Sequence, residues 1–205
     1  MTAVQVLMLD VDGVVVCGRP ADGRSWSTSM LDDLGLDAAD LRREFFAIHW
    51  DDILVGRAGL DERLAPVLAR IAPHLTVGRL TDYWFAQDSR LDMVLLERVS
   101  HLRRGGLSVH LATNQEHRRA RYLMERLGLA AHVDAIHYSA RVGFRKPDPA
   151  FFATVAATVG APPASLLLVD DLTENVEAAL AAGWRAIHWT DTPAAWTALD
   201  NILPG

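Results

Sequence analysis

Four short polar groups, each placed at or just beyond the end of an apolar run, carry the residue types that could do chemistry. Asp10 and Asp12 follow the run at 4–9, and Thr113 and Asn114 follow the run at 107–112. Arg145-Lys146-Pro147-Asp148 comes after the weaker run at 135–138, and Asp170-Asp171 follow the run at 166–169. Strand interiors avoid charge, so four carboxylates and a lysine gathered at strand ends need a reason. A hard cation together with an anionic substrate supplies one. Carboxylate oxygens suit Mg²⁺, which takes one or two protein carboxylates and completes its shell with water and substrate phosphate. A lysine point charge, a hydroxyl and backbone N–H groups suit the phosphate.

The elements that must position these groups read as strands and helices in alternation. The apolar runs at 4–9, 107–112, 135–138, 166–169 and 186–189 are short, as buried strands are. Between them, Ala120, Leu123, Met124 and Leu127 repeat at helical spacing, with Gly128 placed to end the helix. Phe152, Val155, Ala156 and Val159 do the same behind Asp148 as N-cap and Pro149 as first helical residue. Val176, Ala179, Leu180 and Gly183 form a third stripe. Strand–helix alternation predicts an α/β fold, a Rossmann-like parallel sheet with helices on both faces and ligands beyond the carboxyl ends of the strands.

Residues 14–88 interrupt that alternation. After an extended run at 14–16 and a polar loop at 18–24, the spacing of Leu41, Phe45 and Ile48, then of Leu60, Leu64, Val67, Leu68 and Ile71, is helical. The expected organisation is a core formed by 1–13 and 89–205, with a small helical cap at 14–88 inserted after the first strand.

Asp10-Val11-Asp12-Gly13, Ala112-Thr113-Asn114, Gly143 to Pro149 with Lys146 at its centre, and Leu168-Val169-Asp170-Asp171 occur in this order. Together they closely resemble the four motifs of the haloacid dehalogenase (HAD) superfamily, and the resemblance covers the whole chain. It implies that Asp10 is a nucleophile forming an aspartyl-phosphate, and that Asp12 is the general acid and base, with its backbone carbonyl facing the metal. It also implies that the Thr113 hydroxyl and the Asn114 backbone N–H hold phosphate oxygens, and that Lys146 neutralises phosphate charge. Mg²⁺ would lie on Asp10, Asp12 and Asp171, with Asp170 acting directly or through water and Asn175 orienting the site from the following helix.

Within the family, Asp12 favours phosphate-ester hydrolysis over dehalogenation, because displacing halide needs no proton donor for the leaving group. A phosphosugar mutase keeps both aspartates and stays open, as does a binding or regulatory module with poor turnover. A cap of this size favours a small phosphomonoester. His49, Trp50 and Trp84 are candidate specificity residues within it; alternatively, Trp50 and Trp84 pack the cap helices together.

Composition narrows the partners. The chain of 205 residues has 20 Lys+Arg against 26 Asp+Glu, for a net charge of −6, and lacks the basic balance of a nucleic-acid binder. A single cysteine, Cys17, excludes an internal disulfide and a cysteine-built zinc site, and a buried apolar role is expected for it. The opening Met1 to Gln5 has no basic region and no apolar stretch approaches the ~20 residues of a membrane span. The expectation is a cytoplasmic monomer or homodimer, with no membrane and no nucleic-acid partner and with a frayed end at 203–205.

Overall fold

The computed structural model describes residues 3–190 and 192–203. Five strands, β1 (Val6–Leu9), β2 (Ser108–Thr113), β3 (Ala135–Tyr138), β4 (Leu166–Asp170) and β5 (Arg185–His188), form one parallel sheet in the order β3-β2-β1-β4-β5. Leu9 pairs in register with Leu111 on one side and Val169 on the other. Asp10 and Asp170 therefore emerge side by side, one residue beyond that pair. The chain builds outward on one side of β1 and then returns to the other, which makes the end of β1 the crevice where ligands of such sheets bind.

The period-two alternation of strand side chains divides the apolar residues between two cores. Leu7, Leu9, Val109, Leu111, Leu167 and Val169 face one layer, which includes Leu95, Leu96 and Val99 of a helix at Met93–Arg104 and Leu199 of a helix at Pro193–Ile202. Val6, Met8, Ala112, Leu166 and Leu168 face the other, against Phe151, Phe152 and Val155 of the helix Pro149–Val159 and Ala179 of Thr173–Ala181. Asp148 caps Pro149–Val159 by accepting from Ala150 N–H at 2.8 Å. Gly128 has φ +83°, beyond the turn that ends at Leu127.

Between β1 and the helix Met93–Arg104 lie five α-helices: α1 (Met30–Leu34), α2 (Ala38–Leu41), α3 (Ala47–Leu54), α4 (Leu60–Ile71) and α5 (Val77–Gln87). They bury a core of their own, built around Met30, Leu41, Phe45, Ile53, Leu64, Leu68, Leu80 and Phe85. Among the described residues no helix is long and apolar enough to cross a membrane.

Several local expectations change. Val14 and Val15 form a turn rather than an extended run: the N–H groups of Val14, Val15 and Val16 all point at the Val11 carbonyl, and Val16 makes only isolated bridges, to Asp12 and Leu91. Ile48 is exposed although Leu41 and Phe45 are buried. A π-helical turn at Arg42–Phe46 joins α2 to α3 and adds a residue to the turn, rotating the stripe past the core. Leu180 is exposed likewise, and Gly183 lies beyond its helix with φ +81°. Cys17 is half-buried, its Sγ 3.8 Å from the Val14 carbonyl. Leu203, expected in a frayed end, is instead buried in the core with its N–H on the Leu199 carbonyl at 2.8 Å, while Pro204 and Gly205 lie outside the described residues.

Candidate active site

Asp10 terminates β1. It is buried, and one carboxylate oxygen accepts from the Val11 N–H at 2.7 Å. The chain then turns at Gly13, whose φ of +82° suits glycine, and a Cβ there would lie only 2.6 Å from Asp171 Cγ. The glycine thus lets the turn after β1 press against the carboxylate that follows β4.

Lys146 is delivered from the loop before Pro149–Val159, next to a cis Lys146–Pro147 peptide. Its backbone is clamped by the Asn114 side chain: Lys146 N–H donates to Asn114 Oδ1 at 2.8 Å, and Asn114 Nδ2 donates to the Lys146 carbonyl at 2.9 Å. The fully buried ammonium lies 2.5 Å from Asp170 Oδ2 and 3.1 Å from Asp10 Oδ1. The other Asp170 oxygen accepts from the Asn175 side chain at 2.9 Å and from Leu172 N–H at 3.0 Å. Both oxygens of Asp170 are therefore occupied. Thr113 is buried as the last residue of β2.

Asp10, Asp170 and Asp171 bring one carboxylate oxygen each to within 4.8 Å of one another. Burial, then repulsion by Asp170 and Asp12 against the pull of Lys146, raises Asp10 to about 6. Burial, then repulsion from Asp10 and Asp170, raises Asp171 to about 6. Burial opposes the Lys146 charge, but Asp10 and Asp170 outweigh it and hold the ammonium above the usual lysine value. Three converging hard oxygen donors fit a divalent cation such as Mg²⁺.

Asp12 stands apart from that acidic group. Beyond β1 the chain has left strand geometry, and the Asp12 carboxylate accepts from Gln115 Nε2 at 2.6 Å. Its carboxylate is not among the oxygens that converge with those of Asp10, Asp170 and Asp171. The carboxylate is open to a cavity yet ringed by protein; this desolvation, with Asp88 raising and Arg119 lowering it, lifts Asp12 to about 6.

Gln115, Glu116, Asp88 and Arg119 were not anticipated. Glu116 caps the helix His117–Arg121 by accepting from the Arg118 and Arg119 N–H groups. Arg119, 1% exposed, lies 3.3 Å from Asp88 Oδ2, donates to the Phe85 carbonyl at 3.2 Å and stacks over the rings of Phe85 and Tyr122. Gln115 directly follows Thr113-Asn114, and that adjacency was an available signal. Nothing in sequence distinguishes Arg119 from Arg118 or Arg121.

The cavity above Asp12 has a volume of 420 Å³. Its floor includes Asp12, Asn114 and Gln115, and its walls include Trp26, Phe46, Trp50 and Trp84. Trp84 also packs in the insertion core and Trp50 packs against it, so both rings line the cavity and hold the helices together. His49 does not line the cavity; its ring lies 6.1 Å from Phe45. Trp26, in the loop before α1, was not singled out from sequence, yet it stacks on Trp84 at 5.1 Å.

Comparison with known proteins follows this geometry. Residues 4–183 match the family model described as haloacid dehalogenase-like hydrolase. A phosphoglycolate phosphatase of Pectobacterium atrosepticum is 26% identical over 194 residues, spanning 93% of this chain and 82% of that enzyme. A HAD-like family hydrolase from Porphyromonas gingivalis superposes with a TM-score of 0.78 at 19% identity over 100% of both chains. A HAD family enzyme from Bacteroides thetaiotaomicron, in complex with magnesium and inorganic phosphate, superposes with a TM-score of 0.73 at 14% identity over 92% of this chain and 95% of that one. These last two show the shared fold. With strand-end carboxylates, a buried lysine and a parallel sheet of matching topology, the chain belongs to the haloacid dehalogenase-like hydrolase family.

Proposed function

We propose that the protein is a Mg²⁺-dependent phosphatase of small phosphomonoesters, with Asp10 as nucleophile and residues 14–88 as its cap. The observation that carries this reading is the buried Lys146 ammonium set between Asp10 and Asp170, with Asp12 held separately on Gln115. Its support also includes the phosphatase among the relatives and the magnesium and phosphate held by a protein of the same fold.

Asp10, Asp171 and the Asp12 carbonyl would hold the metal directly, and Asp170, whose oxygens are engaged, would act through water. The cation supplies charge neutralisation of the phosphoryl oxygens. Lys146 adds a fixed positive charge in a dry setting, where it stabilises developing charge more than it would in water. Asn114 positions Lys146 through its backbone while the Thr113 hydroxyl and Asn114 N–H bind phosphate oxygens.

A carboxylate oxygen of Asp10 attacks phosphorus, and the bond to the ester oxygen breaks. The departing alkoxide takes its proton from Asp12. Asp12, now ionised, accepts a proton from water; the water oxygen attacks phosphorus, the bond to Asp10 breaks and both carboxyl groups are restored. A pKa near 6 lets one group serve as acid and then as base close to neutrality. The presence of Asp12 also favours an alkoxide over a halide leaving group.

The test is phosphate release from a panel of monoesters with Mg²⁺ or EDTA, for wild type and Asp10→Asn. Release should need the metal and fall to background in the variant while the circular dichroism spectrum is retained. Near-normal activity of Asp10→Asn would sink the covalent mechanism.

A further inference from the structure

The cavity above Asp12 is polar at one end and apolar at the other. On the floor, the polar groups already have partners: Gln115 Nε2 is on Asp12, the Asn114 amide is on the Lys146 backbone, and Arg119 is on the Phe85 carbonyl and Asp88. On the walls, four aromatic rings form a connected surface. Trp26 stacks on Trp84 at 5.1 Å with 23° between planes; Phe46 meets Trp50 at 5.1 Å and Trp84 at 5.5 Å, both edge to face. Trp26, Phe46 and Trp50 are only half-buried, and the cavity takes up uncovered surface of each. The wall hydroxyls of Ser25 and Ser27 bond to each other at 3.1 Å, and Arg42, at the cavity edge, is exposed.

We propose that this cavity selects phosphate monoesters of apolar alcohols, with an aromatic or branched hydrocarbon group seated between Trp26, Phe46, Trp50 and Trp84. The proposal rests on the phosphatase reading above and specifies its substrate class. A sugar or a second carboxylate seated between these rings, away from Arg42 at the edge, would leave polar atoms without partners, and such atoms are costly to bury. A hydrocarbon group loses nothing there and removes its own and the rings' apolar surface from water. A volume of 420 Å³ falls within the usual range of small-molecule sites, large enough for one or two rings beyond the phosphate.

The experiment compares binding of 1-naphthyl phosphate, inorganic phosphate and 2-phosphoglycolate to the Asp10→Asn protein with Mg²⁺, by calorimetry, alongside turnover of both esters by wild type. The naphthyl ester is expected to bind about a hundredfold tighter than inorganic phosphate from burial of its ring system. Trp50→Ala, introduced into the same protein, should lower the ratio of those two affinities about tenfold, and Trp50→Phe should recover most of it. The proposal is overturned if the naphthyl ester binds no tighter than inorganic phosphate, or if 2-phosphoglycolate binds as tightly or is turned over in preference. That ranking needs no cap variant, so it holds even if Trp50→Ala fails to fold. Tight naphthyl binding with no hydrolysis by wild type would remove the phosphatase reading and leave the apolar site standing. Preferred hydrolysis of 2-phosphoglycolate would do the reverse.

Discussion

Replacing Lys146 by methionine removes the positive charge set between two buried carboxylates while keeping most of the side-chain volume. The ammonium lies 3.1 Å from Asp10 and 2.5 Å from Asp170. At an effective dielectric of about 20 these separations correspond to attractions of about 5 and about 7 kcal/mol. Much of that is offset by the desolvation of all three groups, so the net loss on removing one partner is about 3–5 kcal/mol at pH 8. The loss depends on pH. Asp10 is already raised to about 6 with Lys146 in place, and without it the pKa rises further. The folded variant then binds more protons than the unfolded chain, whose aspartates titrate near 3.9, so its stability falls as pH rises above about 4. At pH 5 the penalty should be roughly half that at pH 8, because protonation relieves the repulsion more cheaply there. Mg²⁺ bound only by the folded state should return about 2.7 kcal/mol at a hundred times its dissociation constant. Urea unfolding followed by tryptophan fluorescence at both pH values, with and without Mg²⁺, measures all three effects. A penalty below about 1 kcal/mol at pH 8, or one independent of pH, would refute the reasoning.

Two further perturbations test the frame around the site. Gly13→Ala places a Cβ against the Asp171 carboxylate at a backbone φ of +82°, so the carboxylate must move. The expected result is a loss of about 10–100-fold in Mg²⁺ affinity, read from the metal dependence of phosphate release; an unchanged metal dependence would show that Asp171 is not a ligand. At the sheet edge, His137 Nε2 lies 3.0 Å from His110 Nδ1, and burial, then His110 and Arg141, push His137 down to about 4. Its folded pKa is below the unfolded value near 6.5, so the stability tied to neutral His137 is complete above pH 6.5 and lost as pH falls toward 4. The span corresponds to about 3 kcal/mol at most, and to about 2 once screening of this half-buried group is allowed for. The slope of unfolding free energy against pH between 4 and 6.5 should be shallower in His137→Gln, and an identical slope would remove His137 as its source.

Much of this protein was legible from local rules. Short apolar runs ending in acidic residues became strands, because a parallel sheet covered on both faces needs continuous hydrophobicity. The Asp148-Pro149 start and the Gly128 stop lie where capping chemistry places them. The positions of Asp10, Asp170 and Asp171 at neighbouring strand ends followed from the same alternation. Periodicity failed where its period changed: the π-turn at Arg42–Phe46 exposed Ile48, and convergence of three N–H groups on the Val11 carbonyl turned an apparent strand into a loop.

Residue type and spacing by themselves determined the fold class and the acidic rim, because both depend on contacts or periods within a few residues. Only the tertiary structure decided the long-range partners. Asn114 clamps the backbone of Lys146, 32 residues away, and Gln115 holds Asp12, 103 residues away. Arg119 rather than its neighbours is buried against Asp88 and Phe85, and Trp26 joins Trp84 across the cavity wall while His49 stays outside it. The first two depend on which loops meet at the strand ends and the others on which faces meet when the insertion packs over the sheet, and no periodicity along the chain encodes either meeting.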